Sequence, residues 1–495
     1  MTLISESLVA QSPRLTPRPV PVISHVITIG AALLFAALVA QGFFRTGLAS
    51  WSVGIVYILY DTSLLVFTAR RTWRIMAPQP GQAAHGAAHG AEADMGRPSL
   101  GVIIAAHNEA GVLGITIDRL RAQSDPPDLI VVADDGSTDE TPAVMQRLYG
   151  LAPPPLGHIS APAPGAPGLR WLRVPHGGKA RALNAAIQQV DCEIVLTVDA
   201  DTLLDDGALA AMRGAFAAEP LLVAATGVLT PICGPSLSGR LFQWFQTYEY
   251  VRNFLSRYAW MQENSLLLIS GAFAAFRREA LITVGGFDPA CLVEDYELIH
   301  RLHRHSVDAG LGWRVRVIGQ AHARTDAPAT PMAFLRQRRR WFGGFLQTQY
   351  WNRDMIGNAR FGALGTKMMP VKTLDTLQPV YGIAAFIILI AVVALGAWRI
   401  ALPILLVMLA KILFDLAYHL WSLKLYARWT GQREGLGLGW ALVAAVLEPF
   451  TFQLLRHAGA LWGWHSFLTG RESWGRQRRT AIGAGVEARS GGSAL

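Results

Sequence analysis

Charged side chains are scarce in this sequence. Asp, Glu, Lys and Arg make up 16% of its 495 residues and hydrophobic residues 52%, where ordinary soluble domains carry about 25% charge. That shortage argues against a soluble protein and for membrane segments. Cysteine is nearly absent as well. Cys192, Cys233 and Cys291 stand too far apart for a zinc or CxxC pattern, so buried free thiols are expected. Negative charge is the rarer sign, and the formal net charge is +9. Such an excess suits lipid headgroups, phosphate-bearing substrates or nucleic acid. No nucleic-acid motif and no aromatic-basic sheet pattern accompanies it, so membrane contact is expected and nucleic acid is not.

Long apolar runs are plentiful. Residues 1–21 form a polar, proline-bearing segment with Arg14 and Arg18. Val22 to Phe44 then carries no acidic or basic residue except His25. This run exceeds the roughly 20 residues that cross a bilayer, and it is too long and begins too late for a simple signal peptide. Gly47 to Ala69, broken only by Asp61, is a second span, so residues 22–69 read as two transmembrane helices. Arg70, Arg71 and Arg74 follow at once, and the positive-inside rule puts them and the N-terminus in the cytoplasm. Residues 70–98 read as a linker rich in Ala, Gly and His, with His85 and His89 part of that linker rather than metal ligands.

The C-terminal part is apolar again. Pro379 to Trp398, Ile400 to Leu423 and Leu436 to Leu455 give about three spans within 377–468, before a basic tail at 469–495 with Arg471, Arg476, Arg478 and Arg479. Lys424, Arg428 and Arg433 fit a cytoplasmic loop. Five crossings would leave the basic tail outside, against the same rule. Glu448-Pro449 offers a way out, because it can break the last span into a re-entrant helix. Lys411, Asp415 and His419 share one helical face in the middle of a span. They either stabilise packing or line a polymer-conducting path that Asp61 and Glu448 could join.

Between these flanks, residues 99–330 alternate strand-like runs (LGVIIAA, DLIVVAD, EIVLTVDAD) with helix-like segments. The alternation predicts an α/β domain with a parallel sheet, whose ligand lies beyond the carboxyl ends of the strands. Asp134 and Asp135 end one such strand, and Asp199 and Asp201 end another. Carboxylates at i and i+2 can converge on one hard cation such as Mg²⁺ or Mn²⁺. HGGKARALNAAI places Lys179 at a helix N-terminus behind a Gly-Gly turn, a setting that favours phosphate oxygens. RQRRRWFGGF opens residues 331–376, read as interfacial helices.

AHNEA (106–110), ADDGSTD (133–139), GKARALN (178–184), DAD (199–201), VED (293–295) and QRRRW (337–341) occur in one order along the chain. In that order the sequence resembles the inverting family-two glycosyltransferases, and more narrowly the membrane-embedded processive synthases of cellulose, hyaluronan and poly-N-acetylglucosamine. The resemblance covers about residues 99–345, and QRRRW is its most specific motif. It implies a Rossmann-like nucleotide-sugar-binding catalytic domain of GT-A type, inserted between transmembrane α-helices of the inner (plasma) membrane, with the catalytic domain cytoplasmic. It implies that Glu109, Asp134 and Asp135 hold the uridine of a UDP-sugar, with Lys179 and Asp199 near the diphosphate. Asp199 and Asp201 would bind Mg²⁺ or Mn²⁺, Asp201 being the more direct ligand, and Asp295 would be the catalytic base. Gln337 and Arg340 would bind the diphosphate, and Glu294 and Trp341 the acceptor. Val293 departs from the pattern, which has Thr there, and puts a hydrogen bond near the acceptor in doubt.

The implied activity is transfer of sugar to the end of a growing β-linked polysaccharide, coupled to its export, with N-acetylglucosamine or glucose as first candidates. Partners would be the UDP-sugar, the polysaccharide acceptor and membrane lipid. Accessory export subunits fit such a role, although no motif names one. The alternative is a single transfer to a polyprenyl phosphate or other lipid. A nucleotide-sugar-gated transporter or scaffold without turnover fits less well with intact Asp199, Asp201 and Asp295.

Overall fold

A computed structural model describes residues 3–76, 96–432 and 438–470 of the chain. His85, His89, Arg433 and the arginines of the tail lie outside the described residues. The central domain holds eight strands: β1 (Leu100–Ala106), β2 (Leu129–Asp135), β3 (Leu169–Val174), β4 (Ile194–Asp199), β5 (Thr202–Leu204), β6 (Leu222–Ile232), β7 (Phe273–Arg277) and β8 (Arg314–Asp326). They form one sheet in the order β3-β2-β1-β4-β7-β6-β8-β5. The first four are parallel neighbours, and β7 runs antiparallel between β4 and β6. Val102, Ile103, Ile104, Val131, Val132, Val195 and Leu196 are fully buried. Strands covered on both faces read as unbroken apolar runs, which is why these runs were legible.

The strand order also fixes where a ligand goes. The chain steps outward from β1 to β2 to β3, then returns to place β4 on the other side of β1. Connections on the two sides of β1 therefore diverge, and a crevice opens at the carboxyl ends of β1 and β4. The three cysteines are buried and free.

Among the described residues, four helical segments are long and apolar enough to cross a membrane: Val22–Phe44, Gly47–Met76, Leu364–Ala394 and Trp398–Thr430. The last apolar stretch differs from a single span over 436–455. It consists of a helix Leu438–Leu447, a 3₁₀ turn Glu448–Phe450 and a second helix Phe452–Leu468. Pro449 supplies no N–H to continue the first helix. Glu448 at the break is buried against the guanidinium of Arg252, which comes from the helix Leu237–Gln262.

The N-terminal segment is not a free tail. Its helix Leu3–Gln11 buries Ile4 and Leu8 on the central domain. Gly285 and Gly286 there have φ of +87° and +61°, and a Cβ on Gly285 would stand 2.2 Å from the Leu8 nitrogen. Arg14 then pairs with the fully buried Asp288 at 2.9 Å, and Arg18 with Asp308 at 2.5 Å. The segment before the first apolar helix and the central domain thus lie on one side of the apolar bundle.

Within the bundle, Lys411 sits 2.7 Å from Asp61 of the second apolar helix and also contacts Asp415 one turn along its own helix. His419 Nδ1 lies 3.2 Å from the Asp415 carbonyl. These groups, with Arg252, Glu448 and His457, line a small cavity of about 120 Å³.

Candidate active site

The ends of the four parallel strands carry the polar motifs, and each motif is held by its neighbours. Asn108, just past β1, adopts φ 58°. Its side-chain carbonyl accepts from the Thr138 and Asp139 amides at 2.8 and 3.2 Å, which ties AHNEA to ADDGSTD. Asp135 ends β2, and its carboxylate accepts from the Gly177 and Gly178 amides at 2.8 and 2.9 Å, which ties ADDGSTD to HGGK. Lys179 then opens the helix Lys179–Ile187 and contacts Asp199 at the end of β4. One cavity of about 1650 Å³ runs along these ends.

Glu109, Asp135, Lys179, Asp199, Asp201, Glu294, Asp295, Gln337, Arg340 and Trp341 all line this cavity. Asp134 does not. It is fully buried, and its carboxylate accepts from the Ser137 amide at 2.8 Å and from Trp171 Nε1 at 3.3 Å, with Arg173 Nε 3.7 Å away. Adjacent residues of a strand point to opposite faces, so only one of the two aspartates can face the ligand. The structure brings Asp135 to the cavity and spends Asp134 on holding the turn that follows β2 and the neighbouring strand β3.

Asp199 is the last residue of β4, whereas Asp201 lies past it in the turn to β5. Asp201 is buried, and its pKa is pushed well above the usual range by burial first, then by Asp199 and Asp326. Asp326, at the end of β8, lines the same cavity. Sequence reasoning missed it, because β8 reaches the site only through its pairing with β5 and β6. Asp199 and Asp326 thus both act on Asp201, and carboxylate oxygens are the donors that suit Mg²⁺ or Mn²⁺. Burial opposes the charge of Lys179, but Asp199 and Glu294 outweigh it, so its pKa is raised.

Asp295 is half-buried at the start of the helix Glu294–Asp308. Its Oδ2 accepts from the Gly271 amide at 2.6 Å and its Oδ1 from the Tyr296 amide at 2.8 Å. Gly271 belongs to SGAF, and a Cβ there would come 2.9 Å from Asp295 Oδ2. Val293 precedes this helix without any side-chain cap bond. Glu294 is buried 3.9 Å from Lys179 Nζ. Burial, opposed by Lys179 and reinforced by Asp295, raises its pKa to about 7.

The QRRRW residues divide their labour along the helix Pro331–Trp351. Arg338 is buried, pairs with Glu249 at 2.6 Å and lies 4.4 Å from the centre of the Trp341 ring. Arg339 lies over Trp462 of the last helix at 4.9 Å. Gln337, Arg338, Arg340 and Trp341 all line the cavity. His107 and His176 also stand at its rim, 4.4 Å apart and nearly parallel. AHNEA and HGGK display both histidines, but nothing in their spacing says that β1 and β3 bring them together.

Residues 101–285 match the glycosyl transferase family 2 model, and residues 194–421 match that of glycosyl transferase family group 2. The chain carries a family 2 glycosyltransferase domain. Among similar curated proteins is a β-monoglucosyldiacylglycerol synthase of a Synechocystis species, 27% identical over 265 residues, or 51% of this chain and 50% of that one. Another is the poly-β-1,6-N-acetyl-D-glucosamine synthase of Staphylococcus aureus, 25% identical over 293 residues, or 58% of this chain and 63% of that one. The chain thus spans half to just under two thirds of the length of these relatives. A mannosyltransferase from Pyrobaculum calidifontis, solved with GDP-Man and Mn²⁺, shares the fold with a TM-score of 0.51 at 22% identity, over 81% of this chain and 99% of that one. The fold is therefore the GT-A type, flanked by apolar helices that could span a membrane.

Proposed function

We propose that this protein is a membrane-bound inverting glycosyltransferase that moves sugar from a UDP-sugar to the end of a growing β-linked polysaccharide and passes the product outward. The observation that carries this reading is the continuity of the large cavity. It runs from Asp135 and Asp201 past Asp295 and Trp341 to Asp61, Thr68, Tyr418 and His457 on the apolar helices. A donor enters at one end, and a chain can leave through the other.

Each residue then has a task. Glu109 and Asp135 hold the nucleoside, while Lys179, Gln337 and Arg340 face the diphosphate. Asp199 and Asp201, joined by Asp326, would hold Mg²⁺ or Mn²⁺, which supplies neutralisation of charge on the leaving diphosphate. Asp295 takes the proton of the acceptor hydroxyl as that oxygen attacks the anomeric carbon. The Gly271 and Tyr296 amides orient its two oxygens. Trp341 stacks on the terminal sugar, its plane fixed by Arg338 behind it. The catalytic domain sits in the cytoplasm of a multi-pass inner-membrane protein. With four crossings, the chain after Thr430 returns to that same side.

A second reading is a single transfer to a lipid. It draws on the diacylglycerol-glucosylating relative and on Leu64 and Leu65, which give the far cavity an apolar wall. Purified membranes incubated with a panel of labelled UDP-sugars separate the two. A long polymer on a sizing gel supports the first, and a one-sugar product extracted into organic solvent replaces it with the second. Absence of released UDP with every sugar would sink both.

A further inference from the structure

We propose that His107, Asp135 and His176 form a binding site for a borderline divalent cation, Zn²⁺ foremost, and that its occupancy shuts out the nucleotide. Only the exclusion of nucleotide rests on the functional reading above. The cation site rests on geometry.

One ligand atom from each of the three residues lies within 4.8 Å of the others. Their places follow from the sheet: His107 is the first residue past β1, Asp135 ends β2, and His176 is two residues past β3. The histidine rings are 4.4 Å apart at 23°. Both Nδ1 atoms approach the main-chain carbonyl of Asp135, at 2.8 and 3.1 Å. A carbonyl can only accept, so each Nδ1 carries the proton and each Nε2 presents a lone pair. Asn108 Nδ2 lies 3.2 Å from His107 Nε2 and donates to it, which agrees with that tautomer, and a cation taking this lone pair displaces the Asn108 amide. Imidazoles that ligate metals are commonly oriented in this way, by a carbonyl on the opposite nitrogen.

The carboxylate is also held in advance. Asp135 accepts from two glycine amides, and its Oδ2 lies 2.9 Å from His176 Nδ1. Gly136 has φ +64°, and a Cβ there would stand 2.8 Å from the His176 nitrogen, so only glycine lets the HGGK loop close on β2. The His176 side chain is 64% exposed, leaving the trio open to ions in solution.

Donor chemistry then sorts cations within one cavity. Two imidazoles and a carboxylate favour Zn²⁺, Ni²⁺ or Cu²⁺, while the carboxylates of Asp199 and Asp201 favour Mg²⁺ or Mn²⁺. An ion on the histidines would occupy the ends of β1, β2 and β3, where the nucleoside is proposed to enter.

The test uses full-length protein in detergent, stripped with chelator. Zn²⁺ binding is measured by calorimetry, and Co²⁺ is used as a spectroscopic probe of nitrogen ligation. His107→Gln and His176→Gln should each weaken Zn²⁺ binding by roughly 10-fold or more, whereas Asp201→Asn should leave it in place. Saturating UDP should weaken Zn²⁺ binding by a similar factor, and Zn²⁺ should weaken UDP binding equally, because linkage is reciprocal. Zn²⁺ affinity unchanged in both histidine variants would overturn the site. Zn²⁺ and UDP binding together without mutual effect would overturn the exclusion. Histidine-dependent Zn²⁺ binding by a protein that binds no UDP would uphold the site and remove the nucleotide reading instead.

Discussion

Asp295 and Glu294 are neighbours with different settings, and the difference assigns them different tests. Asp295 Oδ1 and Oδ2 each accept a backbone amide, and the residue is half-buried in the cavity. Asp295→Asn keeps the size and one of the two accepted amide bonds but cannot take a proton, so transfer should fall by about 10² to 10⁴-fold with UDP affinity retained. Stopped-flow transfer and UDP titration on one preparation check this, and an unaffected rate would remove Asp295 as the base. Glu294 has its pKa raised to about 7, chiefly by burial, so the folded protein keeps a proton that the unfolded chain loses near 4.5. Stability from this group is therefore full below pH 4.5 and lost as pH rises towards 7. Glu294→Gln should flatten that fall, seen as a smaller drop in the thermal midpoint between pH 4.5 and 7 than in wild type. For Asp201→Asn, catalysis should fall by orders of magnitude and Mn²⁺ should bind more weakly, because one carboxylate of the cluster loses its charge. Full turnover in excess EDTA would contradict that assignment. Much of this site was legible, because strand ends with carboxylates are visible as strings of residues. Which of Asp134 and Asp135 faces the ligand was not, since that depends on strand register. Asp326 was also hidden, since it joins the site only through tertiary pairing.

At the level of elements, the apolar helices were legible and their partners were not. Val22–Phe44 is a helix with the ends its sequence suggests. Hydropathy alone does not report the break at Glu448–Phe450; Glu448-Pro449 offered it in the sequence, and the structure adds the contact with Arg252 on a distant helix. The same limit applies to Lys411. Sequence alone pairs it with Asp415, one turn away, and predicts that either single loss is harmful and the double loss mild. The structure adds Asp61 across the helix interface. Asp415→Leu alone should then be tolerated, because Lys411 keeps Asp61. Lys411→Met should be the most harmful single change, because it leaves two carboxylates without their cation. An uncompensated charge in the membrane interior costs about 2.5 to 3.5 kcal/mol on insertion scales. Detergent-resistant folded yield, compared across Lys411→Met, Asp415→Leu and the double variant, should rank Lys411→Met lowest. Equal yields would mean that the Asp61 contact contributes nothing. If the Lys411→Met, Asp61→Asn pair folds yet makes polymer that stays inside vesicles, these charges also line the exit.

At the scale of the whole molecule, the catalytic domain is clamped to the apolar bundle from several sides. The N-terminal segment grips it through Arg14 and Asp288, and the helix Leu237–Gln262 reaches into the bundle through Arg252. The helix Pro331–Trp351 carries Gln337, Arg340 and Trp341 on the cavity wall, and it packs against the helix Phe452–Leu468, where Gly463 lets the backbones approach. Trp341 lines the same cavity as Asp295, and under the proposed function its loss should separate chemistry from elongation. With Trp341→Ala the nucleotide-binding residues remain, so UDP affinity should hold. Asp295 can still serve water as an acceptor, so slow release of UDP should persist. The terminal sugar, however, loses the surface that holds its hydroxyl near Asp295, and small misplacements are expensive in rate. Long product should fall by about 10²-fold or more while hydrolysis falls less. Sizing gels and a UDP-release assay on the same membranes measure the two quantities side by side. Equal loss of both would make Trp341 a packing residue beneath Arg338. Full-length polymer at the wild-type rate would mean that QRRRW serves only to seat the domain on the membrane, and the acceptor would then have to be held by other walls of the cavity.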